Sequence, residues 1–477
     1  MELPAFISPF LIGASIIAIL FPKFRLRGVW LVLTISLGAG VGLGITSSMI
    51  FLWLAYIGPP DSYYFAAELS LAVMLALFAF YRIHYSGCRT QEDSGLNCEA
   101  IPGTIVWLRN IFLFLMFVSV GSFLLKAFLQ DPHGIWDAVD TWNYRARWLF
   151  RGGPHWSYAF SLRAKDGLDY PLLVTASVFR MWQILGKDPI VIPILIAGIF
   201  TFGSYLILFS SLALLRGRNQ GYLAAICLFA STQFINIGTY QYADVPLAFF
   251  ILSTVILFGL KDRYPEISSP IVFLAGLAVS CAAWTKNEGQ LFLALVIFVY
   301  FIGQLGKKEW TKTLKEFIGF TIGLAPVLAT LFYFKINFAL ENAHINTNTL
   351  IQLGTYLVDI DRYILVGTRC FYKLFMFNDG IVWLMAGYFF FSGLERSDLI
   401  KKRILSHALL LLLMMCGYFF VYIIYPGNQR DLLSASLRRI IIQLWPTWVF
   451  LFFYCVKGPE KNAAILGNPT CSSKADI

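Results

Sequence analysis

Apolar stretches long enough to cross a membrane recur along almost the whole chain. About thirteen of them approach the roughly 20 residues that cross a bilayer core. Their approximate ranges are 4–21, 30–55, 65–81, 104–128, 190–214, 220–238, 245–260, 269–284, 290–305, 317–334, 379–394, 406–425 and 440–456. Only 13% of the 477 residues are charged, against about a quarter in soluble domains. The sequence predicts an all-α polytopic membrane protein with a single transmembrane domain over 1–477.

Basic residues occupy every second loop between the predicted spans. Lys23, Arg25 and Arg27 follow the first span, and the same alternation continues to the end of the chain. Short cytoplasmic loops are enriched in lysine and arginine. We therefore expect a multi-pass protein of the cell (inner) membrane, with its N-terminus outside and a cytoplasmic C-terminal tail at 457–477.

The formal net charge of +10 could indicate a nucleic-acid partner. The basic residues lie in separate short loops, however, so we predict contacts with membrane lipids and none with nucleic acid. The 8 cysteines include no CxxC motif, and His133, His155 and His344 lack the spacing of metal ligands. The residues alone indicate neither a zinc site nor a disulfide framework.

With this topology, the outer surface collects the polar segments that could carry chemistry. Two of them are long loops, 129–189 and 335–378, and three are short turns. The turns are 239–244, 285–289 and 426–439. The 129–189 segment is the candidate catalytic loop, because it contains an amphipathic stretch with paired acids.

Residues 131–151 have the spacing of an amphipathic helix lying on the membrane surface. The predicted apolar face consists of Ile135, Val139, Trp142, Ala146 and Leu149. The predicted polar face consists of Asp137, Asp140, Tyr144, Arg147 and Arg151. Such a helix can also be a simple interfacial anchor with a solvated charged face.

Asp137 and Asp140 are three residues apart and can point into one outer cavity. Inverting sugar transfer needs a general base at the acceptor hydroxyl and stabilisation of the leaving phosphate. Paired acids fit that chemistry. Alternatively, the two acids only solvate the helix and pair with Tyr144 or Arg147.

Further charged residues lie where predicted spans emerge on the outer side. Lys286 and Glu288 are costly near membrane depth unless they are paired or face water, and they could pair with each other. Arg438 and Arg439 could bind a lipid phosphate through their guanidinium forks. Anchoring to anionic head groups is an equal alternative. Asp244 could belong to a site or could only begin a span.

Five segments resemble, in chain order, bacterial polytopic glycosyltransferases of the GT-C superfamily, the group that includes protein O-mannosyltransferases and aminoarabinose transferases. They extend over most of the chain and lie on or beside the predicted outer side. The segments are Trp136-Asp137-Ala138 with Trp142-Asn143 and Arg145-Ala146-Arg147, Asp169-Tyr170-Pro171-Leu172-Leu173, Tyr242-Ala243-Asp244-Val245-Pro246-Leu247, Thr285-Lys286-Asn287-Glu288-Gly289, and Ser436-Leu437-Arg438 with Gln443-Leu444-Trp445-Pro446.

The resemblance implies a polyprenyl-phosphate-linked sugar donor, used at the outer leaflet with inversion, and a glycan, lipid or protein acceptor. The outer-loop acid of the family maps onto Asp137 and a further acid onto Asp169, while Asp140 is an extra acid that leaves the choice of base open. The expected substrate-binding residues are Lys286, Glu288, Asp244, Arg438, Arg439, Arg147 and Tyr170. No cofactor is required, although the family varies in metal use and a divalent ion at Asp137 and Asp169 is compatible with it.

One feature departs from the family pattern, and one other class of membrane protein is an alternative. Many relatives place one span before the catalytic loop, whereas this chain has four predicted spans there. A secondary transporter or lipid flippase is the competing class, since such proteins are also polytopic. Ionisable residues at the membrane midplane and inverted repeats would mark a transporter, whereas the acids here collect at the outer rim.

Overall fold

The protein is described from a computed structural model, which gives the structure of residues 2–22, 28–85, 102–161, 169–302, 310–342, 347–376, 380–395 and 398–458. Regular structure in these ranges is helical, apart from an isolated bridge between Leu394 and Val456. Most of the predicted tail at 457–477 lies outside the described residues. The all-α polytopic fold predicted from the sequence is confirmed.

Nineteen α-helices follow one another along the described ranges. The first ten are α1 (Glu2–Leu20), α2 (Gly28–Tyr56), α3 (Ser62–Tyr85), α4 (Pro102–Leu125), α5 (Asn143–Arg151), α6 (Leu173–Leu185), α7 (Val191–Arg216), α8 (Arg218–Phe229), α9 (Thr232–Thr239) and α10 (Asp244–Arg263). The others are α11 (Ser268–Thr285), α12 (Asn287–Tyr300), α13 (Trp310–Asn337), α14 (Thr347–Ile351), α15 (Leu353–Val358), α16 (Ile360–Phe375), α17 (Ile381–Ser392), α18 (Asp398–Ile424) and α19 (Gln429–Cys455).

Helix α10 is the centre of the bundle. Every residue from Asp244 to Leu260 is buried, and the helix packs against α7, α11 and α19. A helix that is apolar all round suits such a central position. The consequence for function is that Asp244, the first residue of α10, is presented from the core of the protein.

Glycines allow two helix pairs to approach closely, as small residues do in membrane proteins. A Cβ atom at Gly42 would lie 1.8 Å from the Pro9 carbonyl oxygen, where α1 crosses α2. In the α11–α13 pair, a Cβ at Gly276 would lie 2.2 Å from Phe320 O, and one at Gly323 would lie 2.0 Å from Phe273 O. Neither glycine of the α11–α13 pair can carry a side chain unless the backbones move apart.

Each of the thirteen predicted spans coincides with helical structure. Within the described residues, nine helices are long and apolar enough to cross a membrane, or up to ten if α8 and α9, bent by 64°, form one span. The other predicted spans correspond to α12 and α17, with 14 and 12 residues, and to α19, whose first turns carry charges.

The ends of α12 and α19 show that both helices cross the bundle. Helix α12 begins beside Asp169, which Asn287 contacts, and ends where Tyr300 stacks on Phe258, 3.9 Å away near the last turn of α10. Helix α19 likewise ends where the Val456 carbonyl accepts a hydrogen bond from Arg216.

Loops that were predicted for one side of the membrane meet at one end of the bundle. Lys261 pairs with Glu316 at 2.8 Å at the end opposite Asp244, and Arg216 pairs with Glu395 at 3.2 Å, next to the end of α19. The segments predicted to be outer meet at the other end, around Asp244. The structure therefore groups the loops as the alternation of basic residues predicted.

The predicted surface helix at 131–151 has a different register. A π-helical turn, Ala138–Trp142, precedes α5. Trp142, Ala146 and Leu149 are buried as expected, but Val139 is 39% exposed. A π turn contains an extra residue compared with an α-helical turn, and this rotates Val139 out of the predicted apolar face.

Candidate active site

Five charged side chains from four separate segments form one network, which we call the charged cluster: Asp137, Asp244, Lys286, Glu288 and Arg439. Lys286 Nζ lies 3.0 Å from Asp244 Oδ1 and 3.0 Å from Glu288 Oε1. Arg439 pairs with Asp137 through Nη2 and with Asp244 through Nε, the latter at 3.3 Å. The alternative that Lys286 and Glu288 pair with each other is thus confirmed, although within a larger group.

Exposure increases from one side of the charged cluster to the other. The side chains of Asp244 and Lys286 are 0% and 3% exposed, whereas that of Asp137 is 30% exposed. Three carboxylates and two cations leave one net negative charge if all are ionised. Burial disfavours the charged form of Lys286, but Asp244 and Glu288 outweigh it and raise the pKa of this ammonium group. Asp137 is the carboxylate that a substrate can most easily reach.

The backbone beside two of the acids adopts conformations that are uncommon for residues other than glycine. Trp136, next to Asp137, has φ 37°, and Gln241, in the turn before Asp244, has φ 61°. The Gln241 side chain accepts a hydrogen bond from Asn143 Nδ2 at 2.7 Å and donates to the Asp131 carbonyl at 3.4 Å. These bonds hold the two segments together, and backbone strain of this kind concentrates at functional sites.

The turn between α11 and α12 places two members of the charged cluster. Lys286 has an extended backbone between the helices, and Glu288 is in the first turn of α12. A Cβ at Gly289 would lie 1.9 Å from the Ala282 carbonyl oxygen. Only glycine lets the chain reverse so tightly here, which explains the Lys286-Asn287-Glu288-Gly289 pattern.

Asp169 lies in an adjacent network, which we call the amide cluster: Asp169, Asn287, Lys335 and Asn342. The Asp169 carboxylate accepts hydrogen bonds from Asn287 and, at 2.6 Å, from Asn342. Lys335 donates to Asn287 Oδ1 at 2.8 Å and to the Asp169 carbonyl. Asp169 therefore has amide donors as partners, while Asp137 has a guanidinium.

Tyr170 connects the two clusters. Its ring centroid lies 5.6 Å from Lys286 Nζ and 5.3 Å from the Trp142 ring. Its carbonyl accepts a hydrogen bond from the buried Arg145 at 2.9 Å, and burial raises the pKa of its hydroxyl. Pro171 follows Tyr170, and α6 begins at Leu173 with a run of buried residues. The chain therefore passes from the site into the core within three residues.

Two of the predicted substrate-binding residues contact partners outside the charged cluster. Arg147 pairs with Asp188 at 3.6 Å and contacts His133, because the helix turns it towards the start of α7. Arg438 is exposed and donates to Gln233 at 3.2 Å. Asp140 is partly buried one turn beyond Asp137.

Sequence reasoning missed several residues that complete the site. Gln443 Nε2 donates to Asp244 at 2.6 Å and to Glu288 at 3.3 Å, and its oxygen accepts from Tyr418. A polar residue inside a predicted span was the available signal. Lys335 and Asn342 at the start of the 335–378 segment carried no comparable signal.

The divalent ion considered at Asp137 and Asp169 does not fit these surroundings well. Asp137 is paired with Arg439, and Asp169 accepts hydrogen bonds from two amides in the other network. Among the described residues no group of three or more His, Cys, Asp or Glu side chains could hold a metal ion.

The region between α7 and Asn342 provides the central helix, the Lys286 turn and most of the amide cluster. Residues 194–342 match the family of dolichyl-phosphate-mannose-protein mannosyltransferases. This mannosyltransferase family belongs to the GT-C superfamily, so the resemblance seen in the sequence is confirmed at that level. The match contains Asp244, Lys286 and Glu288, while Asp137 and Arg439 lie outside it.

The mannosyltransferase match assigns glycosyl transfer from a polyprenyl-phosphate-linked sugar as the coarse activity. It covers 149 of the 477 residues. Neither the curated proteins nor the solved structures give a match to this chain.

Proposed function

We propose that the protein transfers a hexosyl or pentosyl unit from a polyprenyl-phosphate donor to an acceptor hydroxyl at the outer face of the cell membrane, with inversion at the anomeric carbon. The observation that carries this proposal is the meeting of four distant segments in the charged cluster, at the end of a helical bundle that contains the mannosyltransferase match. Known members of that family act on a protein, and here the acceptor is a glycan, a lipid or a protein.

Asp137 is the general base in this mechanism. Its carboxylate takes the proton of the acceptor hydroxyl while the oxygen forms a bond to the anomeric carbon. On the opposite side the bond from that carbon to the phosphate oxygen breaks, and its electron pair leaves with the polyprenyl phosphate. Attack opposite to the leaving group inverts the configuration.

Cations near Asp137 stabilise the charge that grows on the leaving phosphate. The side chain of Arg439 is 17% exposed, so a phosphate bound beside Asp137 can reach its guanidinium. Arg438, the preceding residue, is exposed. Lys286 is buried between two acids and has the role of neutralising Asp244. The phosphate site we propose therefore rests on Arg438 and Arg439, with Lys286 as a supporting residue.

The buried members of both clusters hold the site in shape. Asp244 and Glu288 fix Lys286 and Gln443, and the amide cluster holds the Asp169-Tyr170 segment against α12 and α13. In this proposal Asp169 orients the sugar and does not act as a second base.

The test is transfer by the purified protein in liposomes from a panel of polyprenyl-phosphate sugars, with mass-tagged or radiolabelled sugar, to hydroxyl acceptors. We expect a labelled product and release of polyprenyl phosphate in equal amounts. Movement of the intact labelled lipid between leaflets, without any product, would instead support the competing flippase or transporter function.

A further inference from the structure

Arg439 is shared between two carboxylates of very different exposure. Its Nε contacts Asp244, which is fully buried, and its Nη2 contacts Asp137, which is 30% exposed. The Tyr242 ring packs against the same guanidinium, with its centroid 4.7 Å from Cζ. The guanidinium is therefore fixed on one side and open to exchange on the side of Asp137.

Asp244 does not depend on Arg439 alone. Lys286 lies 3.0 Å from its Oδ1 and Gln443 donates to the same oxygen at 2.6 Å. By contrast, the ion pair that the structure gives Asp137 is the one with Arg439. A carboxylate oxygen that already accepts a charge-assisted hydrogen bond from a guanidinium is less available to the hydroxyl of an acceptor. In this arrangement the candidate base is restrained before any substrate is present.

Positive charge continues outward from Arg439. Arg438 is the adjacent residue, and Arg369 and Lys373 lie one turn apart on α16, which packs against α19. Burial and the nearby charges of Arg438 and Arg369 lower the pKa of the Lys373 ammonium group, so these cations repel one another. A phosphate arriving from this side meets several cations, of which Arg438 is the neighbour of Arg439 in the sequence.

We propose that the donor phosphate activates Asp137 by taking Nη2 of Arg439 away from it, so that the donor must bind before the acceptor can lose its proton. This inference rests on the proposed function. A guanidinium binds phosphate oxygens through two parallel hydrogen bonds, and its Nε can stay on Asp244 during the exchange. Arg439 is thus a positioning residue that makes the base available only when a leaving phosphate is in place.

The first experiment measures the reactivity of Asp137 towards a water-soluble carbodiimide by mass spectrometry, with and without polyprenyl phosphate. This probe carries no sugar, so no transfer occurs. We expect labelling of Asp137 to rise about tenfold or more, since a charge-assisted hydrogen bond is removed. Asp140 is the internal control, and its labelling should not change. Unchanged or reduced labelling of Asp137 would overturn the inference.

Two variants separate release of Asp137 from a general change in structure. Arg439→Gln should show high labelling of Asp137 without any lipid and no further rise when it is added. Arg438→Gln should keep the low starting labelling and need more polyprenyl phosphate for the rise. If Arg439→Gln does not fold, Arg439→Lys replaces it, because lysine keeps the charge but lacks the separate Nε and Nη2 donors with which Arg439 contacts the two acids. Low starting labelling in the Arg439 variant would contradict the proposal.

The second experiment is kinetic. Product-inhibition patterns in the native protein should indicate compulsory order, with the donor binding first. Random order contradicts the inference. Native mass spectrometry then shows whether a negative result contradicts only the release of Asp137 or also the proposed function. If polyprenyl phosphate binds and Asp137 stays unreactive, only the release step is wrong, whereas a protein that binds no polyprenyl phosphate would contradict the proposed function itself.

Discussion

Asp137 and Asp140 lie one turn apart, yet only Asp137 is in the ion pair with Arg439 that joins α19 to the outer loop. Replacing Asp137 with Asn keeps the shape but removes the ability to take a proton. We expect turnover to fall about a hundred- to ten-thousand-fold in Asp137→Asn, the range for positioned general bases. Donor binding and expression should persist. The measurement is initial transfer rate at saturating donor.

Asp140→Asn and Asp169→Asn are the matched controls for this prediction, and both should lose less activity. Near-normal transfer in Asp137→Asn with loss in one of the other two would reassign the base and leave the enzyme class intact. Normal transfer in all three variants would exclude this rim as a catalytic site.

The buried ion pair between Arg180 and Glu68 lies outside both clusters, and we expect it to contribute to stability only. Arg180 on α6 and Glu68 on α3 are 0% and 1% exposed and form an ion pair, while Ser8 and the Ala5 carbonyl on α1 accept further hydrogen bonds from Arg180. Glu68→Gln leaves the guanidinium charge uncompensated. We expect a loss of about 3–5 kcal/mol of stability, measured as a lower thermal midpoint in detergent.

The double variant Glu68→Gln with Arg180→Met tests the cause. Removing both charges should recover much of the lost stability, because replacing a buried ion pair by apolar groups is often close to neutral. A double variant less stable than Glu68→Gln alone would show that Arg180 matters for its packing and its bonds to α1 more than for its charge.

At the scale of helices, the α11–α13 crossing controls the position of both clusters, because α11 ends at the Lys286 turn and α13 carries Lys335. Gly323→Ala places a Cβ 2.0 Å from a carbonyl oxygen of α11, so the helices must separate. We expect a destabilisation of about 1–3 kcal/mol, typical of overpacking, together with reduced transfer. Thermal unfolding and activity are measured on the same sample.

Gly319→Ala is the control on the same helix, since its Cβ would have Ser269 O as nearest neighbour at 3.9 Å. This variant should be as stable and as active as the native protein. If both substitutions behave alike, close contact at Gly323 is not what sets the helix separation.

Hydropathy predicts the positions of the long apolar helices but not irregular turns within a helix. Apolar length located α1, α2 and α7 closely, whereas the π turn before α5 was not predictable because a periodicity of 3.6 residues assumes a regular helix. The Lys286–Glu288 pair followed from spacing. The contact of Asp137 with Arg439 joins residues 302 apart in sequence, and no local pattern contains that information.

At the scale of the whole molecule, the alternation of basic loops predicts that the charged cluster faces the outside of the cell. Ser157 is exposed in the segment after α5, and a variant with Ser157→Cys should react with a membrane-impermeant thiol reagent in intact cells. Cys88 and Cys98, which lie outside the described residues, are predicted to be cytoplasmic. Each cysteine is tested in a background without the others.

Labelling of Cys88 in intact cells, or a disulfide between Cys88 and Cys98 in the native protein, would reverse the predicted orientation. Such a reversal would place the charged cluster inside the cell. It would leave the contacts within the bundle unchanged and would contradict the outer-face part of the proposed function.

The long sequence separation within the Asp137–Arg439 pair also affects biogenesis. The two residues are 302 positions apart, so at 5–20 residues per second the ribosome makes Arg439 roughly 15 to 60 s after Asp137. Asp244 is made within that interval, so both acids precede this cation. A chain synthesised only as far as α18 therefore lacks the guanidinium that joins Asp137 to Asp244 in the charged cluster.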